Sequence, residues 1–274
     1  MAQTYKYFQD DMEEKKTNKV FYKFVIAVVL VYLVIFAIVY AYHANFEYVT
    51  INGPSMQNTL NPNPEYRDEN QVQDGVIVKL GTDADYGDII VIDRGENASS
   101  IIKRALAFGG DYFTIASVDF NGGRDYRLMR IKSGTEEVEI IVEPYIKSYE
   151  YWNMIEGYTS NGIVYEGILY PNFTQDLNYQ TTTFDVEIEG QTHAIEFFQV
   201  PEGEVFYMGD NRTASLDART YGTTKQSDIY GYVVKIVHNG TFIKENPVKW
   251  FFQQIGDFFE VIWREILIFF GMKT

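Results

Sequence analysis

A serine at position 55 stands in Gly53-Pro54-Ser55-Met56-Gln57-Asn58-Thr59-Leu60, and a lysine at 103 stands in the apolar run Ile101-Ile102-Lys103-Arg104-Ala105-Leu106. Glycine and proline beside the serine mark an exposed turn rather than a helix interior. A serine hydroxyl is a weak nucleophile until a neighbouring base takes its proton. Lysine can act as that base only when neutral, and burial among Ile and Leu disfavours the ammonium, moving its pKa down towards working pH. A third stretch, Gly209-Asp210-Asn211-Arg212-Thr213-Ala214-Ser215-Leu216-Asp217-Ala218-Arg219-Thr220-Tyr221-Gly222, adds a second serine and an acid–base pair. Alone, Ser55 reads as a turn serine and Lys103 as a strand-edge lysine reaching for solvent. With no cysteine in the chain, a cysteine nucleophile, thiolate metal sites and a disulfide framework are excluded. His43, His193 and His238 are scattered and match no metal spacing, which leaves Lys103 as the candidate base.

The elements that must position these residues follow from periodicity. Residues 24–42 carry no charge and are filled by Val, Ile, Leu, Phe, Ala and Tyr. At ~1.5 Å per residue that run covers roughly 28 Å, enough for a hydrocarbon core. It is too long for the apolar core of a cleavable signal peptide and lacks the small-residue cleavage site, so it reads as a signal anchor. Lys6, Lys15, Lys16, Lys19 and Lys23 precede it, and no Lys or Arg follows until Arg67. The positive-inside rule then puts the N-terminus in the cytoplasm and everything after Tyr42 outside. About a dozen residues, at most roughly 40 Å when extended, separate the anchor from Ser55, which therefore works near the membrane surface.

Beyond the anchor, short Tyr-, Phe-, Val- and Ile-rich runs broken by Gly predict β structure. Strands are expected at 47–51, 75–80, 87–93, 101–106, 127–132, 137–142, 204–208 and 229–238, with a hairpin around 184–190. A formal net charge of -15 argues against nucleic acid as a partner, because phosphate binding needs clustered Lys and Arg. From 250 to 272 the chain is amphipathic at helical spacing. Gln253, Asp257, Glu260 and Arg264 mark one face, and Phe252, Ile255, Phe259, Ile262, Ile266 and Phe270 mark the other. Its charges forbid a span; it either lies in the membrane interface with Trp250 and Trp263 as anchors or packs on the ectodomain or a partner.

In letters, order and spacing the three stretches together resemble the signature boxes of type I signal peptidases, the serine–lysine proteases that remove signal peptides from exported proteins. The resemblance implies a mostly β fold: a membrane-anchored ectodomain with an N-terminal transmembrane helix and a C-terminal amphipathic helix. The expected division is 1–23 cytoplasmic tail, 24–42 anchor, 43–111 and 204–240 catalytic β core, 112–203 non-catalytic β subdomain and 248–272 C-terminal helix. It implies Ser55 as nucleophile, its backbone N–H as an oxyanion donor, and Lys103 as base. Ser215 would hydrogen-bond and orient the lysine, Asp217 and Arg219 would brace the region, and Gly209 would let the third box pack close. Ile101, Ile102 and Gly53 are expected at the substrate groove, with no metal or cofactor. Substrates would be secretory preproteins with small residues at the first and third positions before the cut. The lipid bilayer is the expected surroundings, and the translocation machinery is a further partner the resemblance allows. The chain departs from the family pattern at Asn58 and Gly109, where proline is usual, at Ala218, where serine is common, and at Gly53, which offers no side-chain oxyanion donor. A relative specialised for a narrow substrate set such as pilus subunits, an inactive anchored scaffold, and a soluble repressor-type protease are the rival readings. The anchor and third box disfavour the last.

Overall fold

The uncharged run of residues 24–42 lies inside one long helix, α1 (Ala2–Asn45). No proline or glycine interrupts 2–45, and Glu13, Glu14, Lys15 and Lys16 are good helix formers, so the helix extends back through the polar tail. The segment Asn18–Asn45 is long and apolar enough to cross a bilayer, and none of its most apolar stretch is buried. The computed structural model describes residues 2–57, 59–61, 73–95, 98–120, 123–146, 164–165, 168–169, 179, 181–188, 190–212, 214–238 and 247–272. It divides into two units, Met1–Phe46 and Glu47–Thr274.

The second unit is built on two antiparallel sheets. One has the order β1-β2-β14-β3-β4-β12-β13, from β1 (Phe46–Thr50), β2 (Gly75–Leu80), β3 (Ile89–Ile92), β4 (Ile101–Phe108), β12 (Glu204–Met208), β13 (Thr224–Lys225) and β14 (Ile229–Val237). The other runs β10-β11-β5-β6-β7, from β5 (Tyr112–Phe120), β6 (Gly123–Ile131), β7 (Val138–Ile140), β10 (Thr181–Ile188) and β11 (Gln191–Gln199). Short β8 (Val164–Tyr165) and β9 (Ile168–Leu169) pair with each other, and β9 also pairs with β5. The second sheet is thus drawn from the stretch read as a separate subdomain. Yet the two sheets share a core, in which Ile90, Leu106 and Phe206 of one pack with Phe113, Leu128 and Phe198 of the other. The Phe113 and Phe206 rings lie 4.5 Å apart.

The face of the first sheet opposite that core carries Val76, Val78, Ile89, Val91 and Ile102. Ile51, Met56 and Leu60 cover them. This cover anchors the turn that holds Ser55. A second anchor closes it: the Asn61 N–H donates to Asp74 Oδ2 (2.8 Å), and the Asp74 N–H donates back to Asn61 Oδ1 (2.7 Å). Asn61 adopts φ 51°, a left-handed conformation that asparagine tolerates better than most side chains. Its amide also donates to the Ile51 carbonyl (3.0 Å), fixing the turn at both ends.

A single turn, α2 (Ala218–Tyr221), follows β12, with Asp217 as its N-cap. The C-terminal helix α3 (Pro247–Phe269) packs on the first sheet through its charged face. Lys235 of β14 pairs with Asp257 (2.8 Å) and with Glu260, Lys79 of β2 pairs with Glu265 (2.8 Å), and Arg264 donates to the Val234 carbonyl. Of the two environments the sequence allowed for this helix, the structure therefore supplies the ectodomain for its charged face.

Candidate active site

Ser55 sits in a tight turn after β1. The Gln57 N–H donates to the Pro54 carbonyl (2.9 Å) and the Leu60 N–H to the Met56 carbonyl (2.8 Å). Gly53 enters it at φ 89°, which glycine adopts without strain. Met56 and Leu60 point into the apolar cover while Ser55 stays half-buried. The serine is therefore presented by a turn whose next residue is pinned.

Lys103 lies on β4, opposite Ile90 of β3, and is buried. Its Nζ is 2.8 Å from Ser55 Oγ and 2.8 Å from the Ile102 carbonyl oxygen. Burial pushes its pKa down to about 8; the nearby carboxylates of Asp217 and Asp210 oppose the shift and Arg94 assists it. A buried amine with a lone pair at that distance can accept the serine proton. Strand alternation separates Ile101 from Ile102. Ile102 belongs to the apolar cover with Met56 and Leu60. Ile101 faces the other way, onto a cleft of about 470 Å³ that also has Arg94, Tyr207, Tyr221, Thr224 and Asp228 in its walls.

The third stretch is locked to both. The Asn211 N–H donates to the Ser55 carbonyl (2.9 Å). Asp210, fully buried, takes Nε and Nη2 of Arg104 (2.9 and 2.6 Å) and the Thr59 hydroxyl. One carboxylate thus ties the serine turn, the lysine strand and its own loop together. The sequence carried this link only as letters of a motif. Gly209 is needed for close approach: a Cβ there would lie 2.4 Å from the Ser55 carbonyl oxygen and 2.2 Å from Ser215 Oγ. Asp217 is buried and accepts from the Gly209 N–H (3.0 Å) and from Arg219 Nε and Nη2 (2.8 and 2.9 Å). Burial alone would raise its carboxyl, but Arg219 and the Gly209 N–H hold it below the usual carboxylate range. Ser215 is buried beside Gly209. Among the described residues its Oγ makes no hydrogen bond of ordinary geometry, to Lys103 or to any other group. It lies close enough to the Asp217 carboxylate to help hold that group ionised.

Support also comes from the stretch in which the sequence showed no chemistry. Arg212 is buried against Glu143, and the Tyr145 hydroxyl donates to that same carboxylate (2.7 Å). The Arg104 guanidinium lies 3.8 Å from the centre of the Tyr145 ring. Residues 143–145 therefore clamp Arg104 and the third stretch from outside. Of the histidines, His193 lies on β11, paired with Val186 of β10, and exposed His238 contacts Asp74 at 3.2 Å. Asn58 and Thr213 fall outside the described residues.

A family model described as signal peptidase, peptidase S26, matches residues 21–238. The chain belongs to that family. Together with the relatives that follow, the match supports a type I signal peptidase, a serine endopeptidase. Signal peptidase I U of Bacillus subtilis is 28% identical over 218 residues, covering 79% of this chain and 87% of that one. Signal peptidase I of Streptococcus pneumoniae is 28% identical over 144 residues, 53% of this chain and 63% of the relative. A solved signal peptidase I from Enterococcus faecalis overlays with 19% identity, covering 54% of this chain and 95% of that one, at a TM-score of 0.29, too low to bear on the fold. Two of this signal peptidase's departures have local reasons. A Cβ at Gly109 would lie 2.6 Å from the Gly203 nitrogen, where the exit of β4 packs on the turn before β12. Ala218 is fully buried in the shared apolar core, where a hydroxyl would need a partner.

The weakly held Ser215 hydroxyl gives a prediction with two readouts. Removing a buried hydroxyl that makes no hydrogen bond of ordinary geometry costs the fold little, so Ser215→Ala should unfold close to the wild-type temperature. If the hydroxyl engages Lys103 when substrate binds, turnover should fall on the order of a hundredfold. Wild-type turnover in that variant would remove Ser215 from the site.

Proposed function

We propose that this chain is a membrane-bound peptidase that cuts N-terminal signal peptides from exported preproteins, with Ser55 as nucleophile and Lys103 as general base. The observation that carries the reading is the 2.8 Å approach of a buried lysine amine to the Ser55 hydroxyl. With the amine neutral, the Ser55 hydroxyl donates to its lone pair while its own N–H donates to the Ile102 carbonyl. Oγ attacks the scissile carbonyl as its proton passes to Nζ. The resulting oxyanion is met by the Ser55 backbone N–H, and Gly53 adds no side-chain donor. The protonated lysine then gives that proton to the leaving amine as the peptide bond breaks. In the second half-reaction it takes a proton from water, the hydroxide attacks the acyl-enzyme, and the proton returns to Oγ. Asp217, Arg219 and Asp210 position these groups and carry no proton.

The substrate groove is assigned to the strands around Gly53, Ile101 and Ile102, with shallow pockets that take small residues before the cut. Residues 24–42 anchor the enzyme, with 1–23 in the cytoplasm and the β unit outside. The β core is 43–111 with 204–240, and 112–203 forms a subdomain that makes no chemical step, although Glu143 and Tyr145 brace the site. The decisive experiment incubates the detergent-solubilised protein with several precursor proteins and maps every cut by mass spectrometry. Wild type should cut once, after a small residue, and Ser55→Ala should leave the precursors intact. Cleavage by purified Ser55→Ala would remove Ser55 as the nucleophile.

The orientation has its own test. Protease added to intact spheroplasts should digest the β unit and spare a tag at residue 1. Loss of the tag under those conditions would reverse the topology.

A further inference from the structure

The helix α3 faces the protein with its polar side and solvent with its apolar side, the reverse of a helix that completes a soluble core. Asp257 is 5% exposed and lies against Lys235, with Glu265 on Lys79 and Arg264 on the Val234 carbonyl. Phe252, Ile255, Phe259, Trp263, Ile266 and Phe270 form the outward stripe, spaced three or four residues apart, and Phe259 and Trp263 are 63% and 62% exposed. An outward stripe of this kind is a contact site rather than a random exposure of single residues.

We propose that this stripe lies on a lipid surface, making α3 a second, peripheral membrane contact besides α1. The inference rests in part on the membrane anchor proposed above, since α1 commits the chain to a bilayer and so to an apolar phase. Three observations favour lipid over a protein partner. The stripe itself carries no charge, and the charged side chains flanking it at Asp257, Glu260, Arg264 and Glu265 are each engaged by the first sheet, so what the stripe offers a partner is apolar contact. Its make-up of Phe, Ile and Trp suits the boundary between acyl chains and headgroups, where an indole can stay half wet. The helix runs ~35 Å at 1.5 Å per residue, yet its acids are fixed on the sheet, so it lies flat and does not span. The chain's net charge of -15 makes an acidic headgroup unfavourable, so a zwitterionic surface suffices.

The absence of cysteine gives a direct test on the full chain. Phe259→Cys and Thr82→Cys, the latter on an exposed loop, are each labelled with an environment-sensitive fluorophore and reconstituted in phosphatidylcholine vesicles. The expected result is a blue-shifted label at 259 that is quenched by nitroxide lipids severalfold more than the label at 82, and is protected from aqueous iodide. A label at 259 as open to iodide as that at 82 would overturn the inference. Protection from iodide without quenching by nitroxide lipid, as in a contact between two copies, would overturn it too. Flotation separates the anchor from the helix: protein that floats with residue 259 wet refutes the role of α3 alone. Protein that fails to float refutes the anchor and this inference together.

Discussion

Lys103→Met should abolish precursor cleavage while the protein still folds. Methionine keeps most of the length and apolar volume of the lysine stem but has no amine to take the Ser55 proton. Lys103→Arg should fail as well, because a guanidinium gives up no proton at usable pH. The wild-type pH profile should report the same group. With the folded pKa near 8, kcat/KM rises as pH climbs through about 8 and then levels off, well below the ~10.4 of a free lysine. The sign for stability is opposite to that of a salt-bridged lysine. Below about 8 the folded and unfolded chains both hold the proton. Between about 8 and the unfolded value only the unfolded chain holds it, so this group makes the fold more stable as pH rises through that window. Lys103→Met should remove that slope along with the activity. The two are measured independently, by cleavage assays and by thermal unfolding at several pH values. Substantial cleavage by the arginine variant would exclude lysine as the base and send the search back to the histidines.

How much of this was legible in the sequence depends on how local the cause is. The strands Gly75–Leu80 and Glu204–Met208 match their expected bounds, because Asp-Gly opens the first, Pro-Glu-Gly precedes the second, and mostly apolar residues fill both. The strand bearing Lys103 runs on to Phe108, two residues past its expected end, since Gly109, not Phe108, makes the close turn. The serine turn could be read from Gly53-Pro54. That Met56 and Leu60 would hold it on the back of the first sheet could not, for their cover is completed by residues from β2, β3 and β4. Pairings across long sequence separations were silent for the same reason. Asp210 meets Arg104 across 106 positions, and Glu143 meets Arg212 across 69. One signal for them was present: an arginine in an otherwise apolar strand demands a buried acid, which would have pointed from Arg104 to a partner carboxylate. Periodicity in the C-terminal helix separated two faces but assigned neither to the protein. Lys79 and Lys235, on strands far back in the chain, made that choice.

Asp210→Ala should be the most damaging change outside the Ser55–Lys103 pair. The carboxylate is fully buried and accepts two hydrogen bonds from Arg104 and one from Thr59. Removing it leaves a guanidinium in the interior whose remaining partners are the Gly87 carbonyl (2.7 Å) and the Tyr145 ring. Breaking one side of such a pair costs roughly 3–5 kcal/mol, because the charge left behind stays desolvated. Against a total stability of about 5–15 kcal/mol, that is enough to lower the unfolding temperature markedly. Asp210→Asn is the finer probe. It keeps the volume and one acceptor oxygen, so the loss of stability should be smaller, and it removes a negative charge that favours the protonated form of Lys103. The activity limb of Asp210→Asn should therefore move to lower pH, with the turn still in place. Thermal unfolding of both variants, together with the pH profile of the asparagine one, tests the argument. An Asp210→Ala protein as stable as wild type would mean that the carboxylate does not hold the serine turn to the lysine strand, and a limb that stays put or moves up would mean that Lys103 does not feel its charge.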